Sequence, residues 1–232
     1  LAFGLPRMLF GAFGPAPERT RQAPPPPAVE RFRGGQFQWA RLQTKGVYWN
    51  RHSNGDPALL DYLRRTTVLK IDTTWHSVRA GSVEALNVYP FIYCDNITYL
   101  SADEGRNLAE YLRRGGFLFI DACHNNSINK SIPAFRQAQI KFLGDLFPKL
   151  RMEQLPRTHE VFSIYFKLTE TPPYWKGLDP QYPLYAIYDG DHLIGMMGLT
   201  GLQCGWVGDN GAGYAGECAQ MVTNIYVYAM TR

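Results

Sequence analysis

The chain has 232 residues, 45% of them hydrophobic and 14% aromatic, enough to build one sizeable α/β domain with or without an extension. No run approaches the roughly 18 apolar residues of a membrane span, and the four cysteines form no CxxC pair, which excludes a zinc ribbon and a thioredoxin-type motif. The formal charge is +4, but Arg7, Arg19, Arg21, Arg31 and Arg33 against Glu18 and Glu30 place +3 of it in residues 1–33, leaving a body of about +1, which argues against a nucleic-acid-binding face.

Residues 1–36 differ from the rest. Leu1 to Gly14 is apolar and glycine-rich, interrupted by Pro6 and Arg7. With Leu rather than Met in first place, the chain reads as a fragment or a processed form. The segment fits either the tail of an export signal or a disordered or peripherally packed arm. Pro24 to Pro27 predict a stiff polyproline II linker. One folded domain is then expected over residues 37–232.

A first strand is expected over Phe37–Leu42. Asp56 followed by Pro57 predicts a helix start, with Leu59, Leu60 and Leu63 on its apolar face. A second strand, Val68–Ile71, ends at Asp72. Residues 89–124 form the segment around which the fold is organised. Tyr89–Cys94 is an almost wholly apolar run, as expected of a strand covered on both faces. Ser101 with Glu104 three residues on is a capping box, and Leu108, Tyr111 and Leu112 share one face of the helix that follows. Gly115-Gly116 predicts its end, and Phe117–Ile120 is a second buried strand stopping at Asp121. A strand–helix–strand unit of this kind implies a parallel sheet.

Beyond it, a helix is expected from Ile132 to Phe147, stopped by Pro148, and a short strand over Met152–Leu155. Residues 163–183 read as an irregular, aromatic and proline-rich insertion. Its aromatics, Tyr165, Phe166, Tyr174 and Trp175 with Tyr182, suit a partner surface, a sugar site or cover for the sheet's hydrophobic edge. Leu184–Tyr188 and Leu193–Leu199 predict a hairpin across Asp189-Gly190-Asp191-His192. Residues 200–216 form a glycine-rich loop, and Glu217–Met230 a closing helix.

Four segments carry a resemblance: YPFIYCDN, the helix ending in RRGGFLFID, LPRTHEVF, and the C-terminal NIYVYAMTR. In order and spacing, over residues 37–232, they resemble the bacterial domain-of-unknown-function family 4159. The resemblance implies a class I glutamine-amidotransferase-like fold: an open, mostly parallel, flavodoxin-like sheet with helices on both faces, here completed by the C-terminal hairpin and helix. It also favours the export reading of residues 1–14, hence a periplasmic location and a protein partner in the cell envelope. It implies no reaction. The amidotransferase nucleophile, a cysteine in a glycine-flanked elbow, has no match, since Cys94 precedes Asp95-Asn96 and Cys123 precedes His124-Asn125.

In open α/β sheets ligands bind outside the carboxyl ends of the strands. Those ends offer Asp72, Asp95, Asn96, Asp121, His124 and Asn125 as ligand-binding candidates, joined by His159 from the LPRTH element and by Asp209. Asp121 is the sharpest, because a carboxylate closing a buried strand must be paired, hydrogen-bonded or liganded; capping a loop through backbone N–H groups satisfies it equally. His124 suits a general base, a metal ligand or a solvent-facing loop position. His159 suits a place near the sheet's edge or a helix-start role bonded to backbone. Asp121, His124, His159 and Asp209 match a metal by ligand type, but no HxH or HExxH spacing supports one. Cys204 with Cys218 is the better disulfide pair, Cys94 with Cys123 the second, and small apolar packing accounts for all four as well. The glycines from Gly205 to Gly216 lack the Lys-Ser/Thr pair of a phosphate loop, and Thr44-Lys45-Gly46 is too little for a flavin phosphate, so no cofactor is expected. Two functions remain: a non-catalytic binding or assembly module, or a hydrolase or transferase using Asp121 and His124.

Overall fold

The computed structural model describes residues 36–122, 131–168, 183–207 and 215–231. Within them a seven-stranded, mostly parallel sheet is flanked by helices, and a two-stranded parallel sheet lies beside it. The segment expected as one opening strand is two, β1 (Gln36–Phe37) and β2 (Ala40–Leu42). Chain direction is shared, and side chains alternate between the faces: Phe37 and Trp39 enter one core, Ala40 and Leu42 the other.

The second strand needs a correction. Only Lys70–Ile71 is extended (β3), and it pairs with β1 in the small sheet. The parallel partner of β2 on its outer side is β4 (His76–Val78), six residues further on. Backbone bonds from Asp72 N to Phe37 O (2.9 Å) and from His76 N to Trp39 O (2.8 Å) carry the pairing across the break between the two strands. The polar residues of β4 hid it from periodicity.

The central unit follows its sequence pattern. β5 (Phe91–Cys94) and β6 (Phe117–Asp121) run parallel as neighbours, Phe91 opposite Phe117 and Cys94 opposite Ile120. The short helix α2 (Val83–Leu86) precedes β5, and α3 (Ala102–Arg113) links β5 to β6. The Ser101 hydroxyl accepts from Glu104 N (3.4 Å) and the Glu104 carboxylate accepts from Ser101 N (2.8 Å), so the capping box is closed both ways. Gly115 at φ +96° takes the left-handed turn that ends the helix.

Helix α1 spans Asp56–Thr66, α4 spans Ile132–Leu146, and edge strand β7 is Leu150–Gln154. The hairpin is β8 (Tyr185–Asp189) and β9 (His192–Gly198). The stretch expected as a loop after it begins with a helix, α5 (Leu202–Val207), and α6 (Ala215–Met230) closes the fold. Strand order is β4-β2-β5-β6-β9-β8-β7, the first five parallel and the last two antiparallel to their neighbours. Two apolar cores sandwich the sheet. Leu86, Leu108, Tyr111, Leu112, Phe135 and Leu143 bring α2, α3 and α4 to one face. Leu59, Leu63, Leu202, Trp206, Val222 and Ile225 bring α1, α5 and α6 to the other. The chain winds outward from β2 to β4, then returns past β2 to β5, so its direction reverses between β2 and β5.

Candidate functional site

The carboxyl ends of β2, β5 and β6 meet a buried polar network that α5 completes. Asp121, the last residue of β6, is fully buried. Its Oδ1 accepts from Leu202 N (3.1 Å) and its Oδ2 from Gln203 N (2.8 Å). The carboxylate thus caps the start of α5, where unpaired N–H groups and the helix dipole favour negative charge. It holds the start of a helix eighty residues away.

Gln203, in the first turn of α5, carries the network on. The Tyr93 hydroxyl donates to its Oε1, and its Nε2 donates to the Arg51 carbonyl. That carbonyl also accepts from Arg41 Nη1 at 3.2 Å. Arg41, on β2, is completely buried and makes a forked ion pair with Asp56, Nε to Oδ2 at 2.5 Å and Nη2 to Oδ1 at 2.7 Å. Its guanidinium lies 4.8 Å from the centre of the Tyr93 ring. Burial, the largest single influence, pulls the guanidinium's pKa down, but the charge and hydrogen bond of Asp56 together with the charges of Tyr93 and Asp95 outweigh it, and the net direction is up. Burial, and then the charge of Asp121, raise the Tyr93 hydroxyl well above its ordinary range. Asp56, expected to cap α1, sits inside the helix behind Gly55 and serves Arg41 instead.

Asp95 and Asn96 follow β5 directly. Asp95 is buried, and its charge acts on Arg41, Tyr93 and Cys94. The Asn96 Oδ1 accepts from Thr98 N (2.9 Å), Thr98 Oγ1 (2.7 Å) and Gln139 Nε2 (3.0 Å), while Gln139 Oε1 takes the Ile97 N–H at 3.1 Å. Asn96 is a turn cap anchored to α4.

A family described as Domain of unknown function (DUF4159) matches residues 38–230. The chain belongs to the DUF4159 family. A comparison with curated proteins found no match.

The other candidates of this DUF4159 domain fall elsewhere. Asp72 lies between β3 and β4, at the amino-terminal side of the sheet, because the strand it was expected to end belongs to the small sheet. There its Oδ1 accepts from Thr74 N (2.9 Å) and its Oδ2 meets His76 Nε2 (2.8 Å). His159 starts a single 3-10 turn: its Nδ1 accepts from Val161 N at 3.2 Å, and its ring packs edge-on against Tyr228. His124, Asn125, Asp209 and Cys123 lie outside the described residues. So do Tyr174, Trp175 and Tyr182. Tyr165 accepts from Val68 N, and Asn224 on α6 clamps both backbone groups of Phe166 at 2.8 Å.

Cys94, Cys204 and Cys218 of the DUF4159 domain are buried thiols, and no disulfide joins Cys204 to Cys218. Burial raises the Cys94 and Cys218 thiols far above neutral pH, which leaves them protonated and poor nucleophiles. Among the described residues no group of three or more His, Cys, Asp or Glu could hold a metal ion, and no helix is long and apolar enough to cross a membrane.

Sequence reasoning missed Arg41, Arg51, Asp56, Tyr93 and Gln203 as members of one network. The available signal was Arg41 itself, a charge inside the apolar run Phe37–Leu42 that a buried strand tolerates only with a partner. Chemically, the network is a rigid floor. A base working through Asp121 or Asp56 would have to give up the start of α5 or the Arg41 ion pair.

Proposed function

We propose that this DUF4159 chain is a non-catalytic binding or assembly module, exported and working in the periplasm with a protein partner of the cell envelope. One observation carries the first part: Asp121, Asp56, Asn96, Gln203 and Arg41 at the strand ends are engaged with one another and with backbone. Groups tied down in this way support architecture rather than proton transfer. The export reading rests on the apolar, glycine-rich residues 1–14.

The fold we infer is flavodoxin-like, with the class I glutamine-amidotransferase-like superfamily as its wider relation. Numbered in chain order, the five parallel strands run 2-1-3-4-5, the order of flavodoxin-type sheets, and this supports the reading. In such sheets the reversal point between the first and third strands is the binding crevice. Glutaminase chemistry is not part of the proposal, because the cysteine at the end of β5 is a buried, protonated thiol.

The test is a panel of chromogenic esters, phosphoesters and glutamine amides assayed with the purified chain. The module reading expects no turnover above buffer. Turnover abolished by His124→Ala in protein that still folds would overturn it in favour of a hydrolase using Asp121 and His124.

A further inference from the structure

The seven-stranded sheet has two edges, β4 and β7. Every residue of β4 is buried, whereas Arg151, Glu153 and Gln154 of β7 are exposed. Among the described residues β7 pairs with β8 alone, so one side of its backbone is open. The ladder decides which groups lie on that side. Gly190 N donates to Lys149 O (3.0 Å) and Leu155 N to Leu184 O (2.9 Å), and bonded pairs alternate along an antiparallel ladder. Residues 149, 151, 153 and 155 therefore bond inward to β8, while Leu150, Met152 and Gln154 turn their backbone groups outward. The Leu150 N–H is held by Phe147 O at 3.0 Å; the other outward groups have no hydrogen bond among the described residues.

Charge on an open edge ordinarily keeps other strands off. On β7 the two signs stand symmetrically about Met152, in the order Leu150-Arg151-Met152-Glu153-Gln154. A second β7, antiparallel and centred on the same methionine, meets this pattern at every position. The two Met152 residues exchange both backbone bonds, and Gln154 N–H of each copy reaches Leu150 C=O of the other. Arg151 of each copy stands opposite Glu153 of the other, in the non-bonded pairs where side chains come closest. A slip of two residues, the smallest that keeps the outward groups facing, sets Arg151 against Arg151 or Glu153 against Glu153. Pro148 and Pro156, each four residues from Met152, bound the ladder equally at both ends. Leu150 and Met152 are only partly buried against the core on the α4 face, so a second copy also covers apolar surface there. Arg151 is held on the opposite face, 4.2 Å from the centre of the Tyr188 ring.

We propose that β7 joins two copies of this chain edge to edge, in an antiparallel two-fold dimer centred on Met152. Such a pairing occupies both open edges and closes on itself. Within one copy Arg151 and Glu153 already form an ion pair, and exposed pairs are weak. The charges therefore select the register, and the backbone bonds with Leu150 and Met152 supply the affinity. The dimer goes beyond the module reading and does not depend on it.

Sedimentation equilibrium of the full chain at rising concentration tests the proposal. The parent is expected to pass from monomer to dimer and stop there. Arg151→Glu and Glu153→Arg each set like charges against one another in both symmetry-related pairs, and each should weaken the dimer about tenfold. Mixing the two variants restores opposite charges across the interface and should restore the dimer. The double variant, Arg151→Glu with Glu153→Arg, should dimerise like the parent. A purely structural role for the pair within one copy gives no rescue on mixing. A parent that stays monomeric, a dimer indifferent to the single variants, a mixture that fails to recover, or growth beyond a dimer would each overturn the proposal. None of these outcomes touches the module reading, which falls to turnover in the substrate panel.

Discussion

At the scale of single residues, Asp121 and Arg41 show how a charge comes to sit in a core. Asp121 is satisfied by two N–H groups at the start of α5. Asp121→Asn replaces one acceptor oxygen by an amide that repels the N–H it faces. Its unfolding free energy should fall by about 1–3 kcal/mol, read as a drop of roughly 2–4 °C in Tm per kcal/mol; unchanged melting would refute the capping role. Arg41 and Asp56 form a pair in which each desolvated charge depends on the other. Arg41→Met should cost about 3–5 kcal/mol by stranding the carboxylate, while Arg41→Met with Asp56→Leu should recover much of that loss. Denaturant titration of the single and double variants separates an ion pair needed for stability from one that mainly specifies geometry.

Among the elements, α3 was the most legible. Its Ser101–Glu104 box, apolar face and glycine stop are all local, so the residues that decide the helix are those in it. The Ser101 backbone N–H holds the Glu104 carboxyl below its ordinary pKa of 4.5. The stability this contributes is full above that value and is lost as pH falls through the lower folded-state pKa. Glu104→Gln should therefore show a shallower loss of Tm than the parent between about pH 5 and pH 3; parallel acid limbs would remove the assignment. Strand β4 was illegible for the opposite reason. His76-Ser77-Val78 has no apolar alternation, and it is a strand because β2 offers it backbone partners. Helix α5 was hidden likewise: its glycine-bearing sequence reads as loop, and its start is capped by a residue of a distant strand.

For the molecule as a whole, the tyrosines make an alkaline prediction. Burial raises Tyr89, Tyr93 and Tyr111 above the ordinary value of 10.0, and pushes Tyr226 up to about 12. A raised pKa here means that the folded state keeps protons the unfolded state releases. The associated stability is full below pH 10 and is lost as pH rises from 10 towards the folded-state values. Unfolding above about pH 10 should be cooperative, with the last part of the tyrosinate absorbance, that of the four buried rings, rising together with loss of near-ultraviolet dichroism. Ionisation of every tyrosine with the dichroism intact would contradict the burial of these rings.

By itself the sequence determined the local units: the capping box and its helix, the two apolar strands β5 and β6, the hairpin, and a polar residue at the end of each buried strand. It also singled out Asp121 as a charge in need of partners. Only the tertiary structure decided who those partners are. It sent Asp72 to the other end of the sheet, drew Asp56 away from its helix cap to Arg41, and linked Tyr93, Gln203 and Arg51 into one network. The reason is physical. Periodicity and capping act over a few residues, whereas the pairing of a buried charge is settled by whichever group the packed layers bring within hydrogen-bond reach.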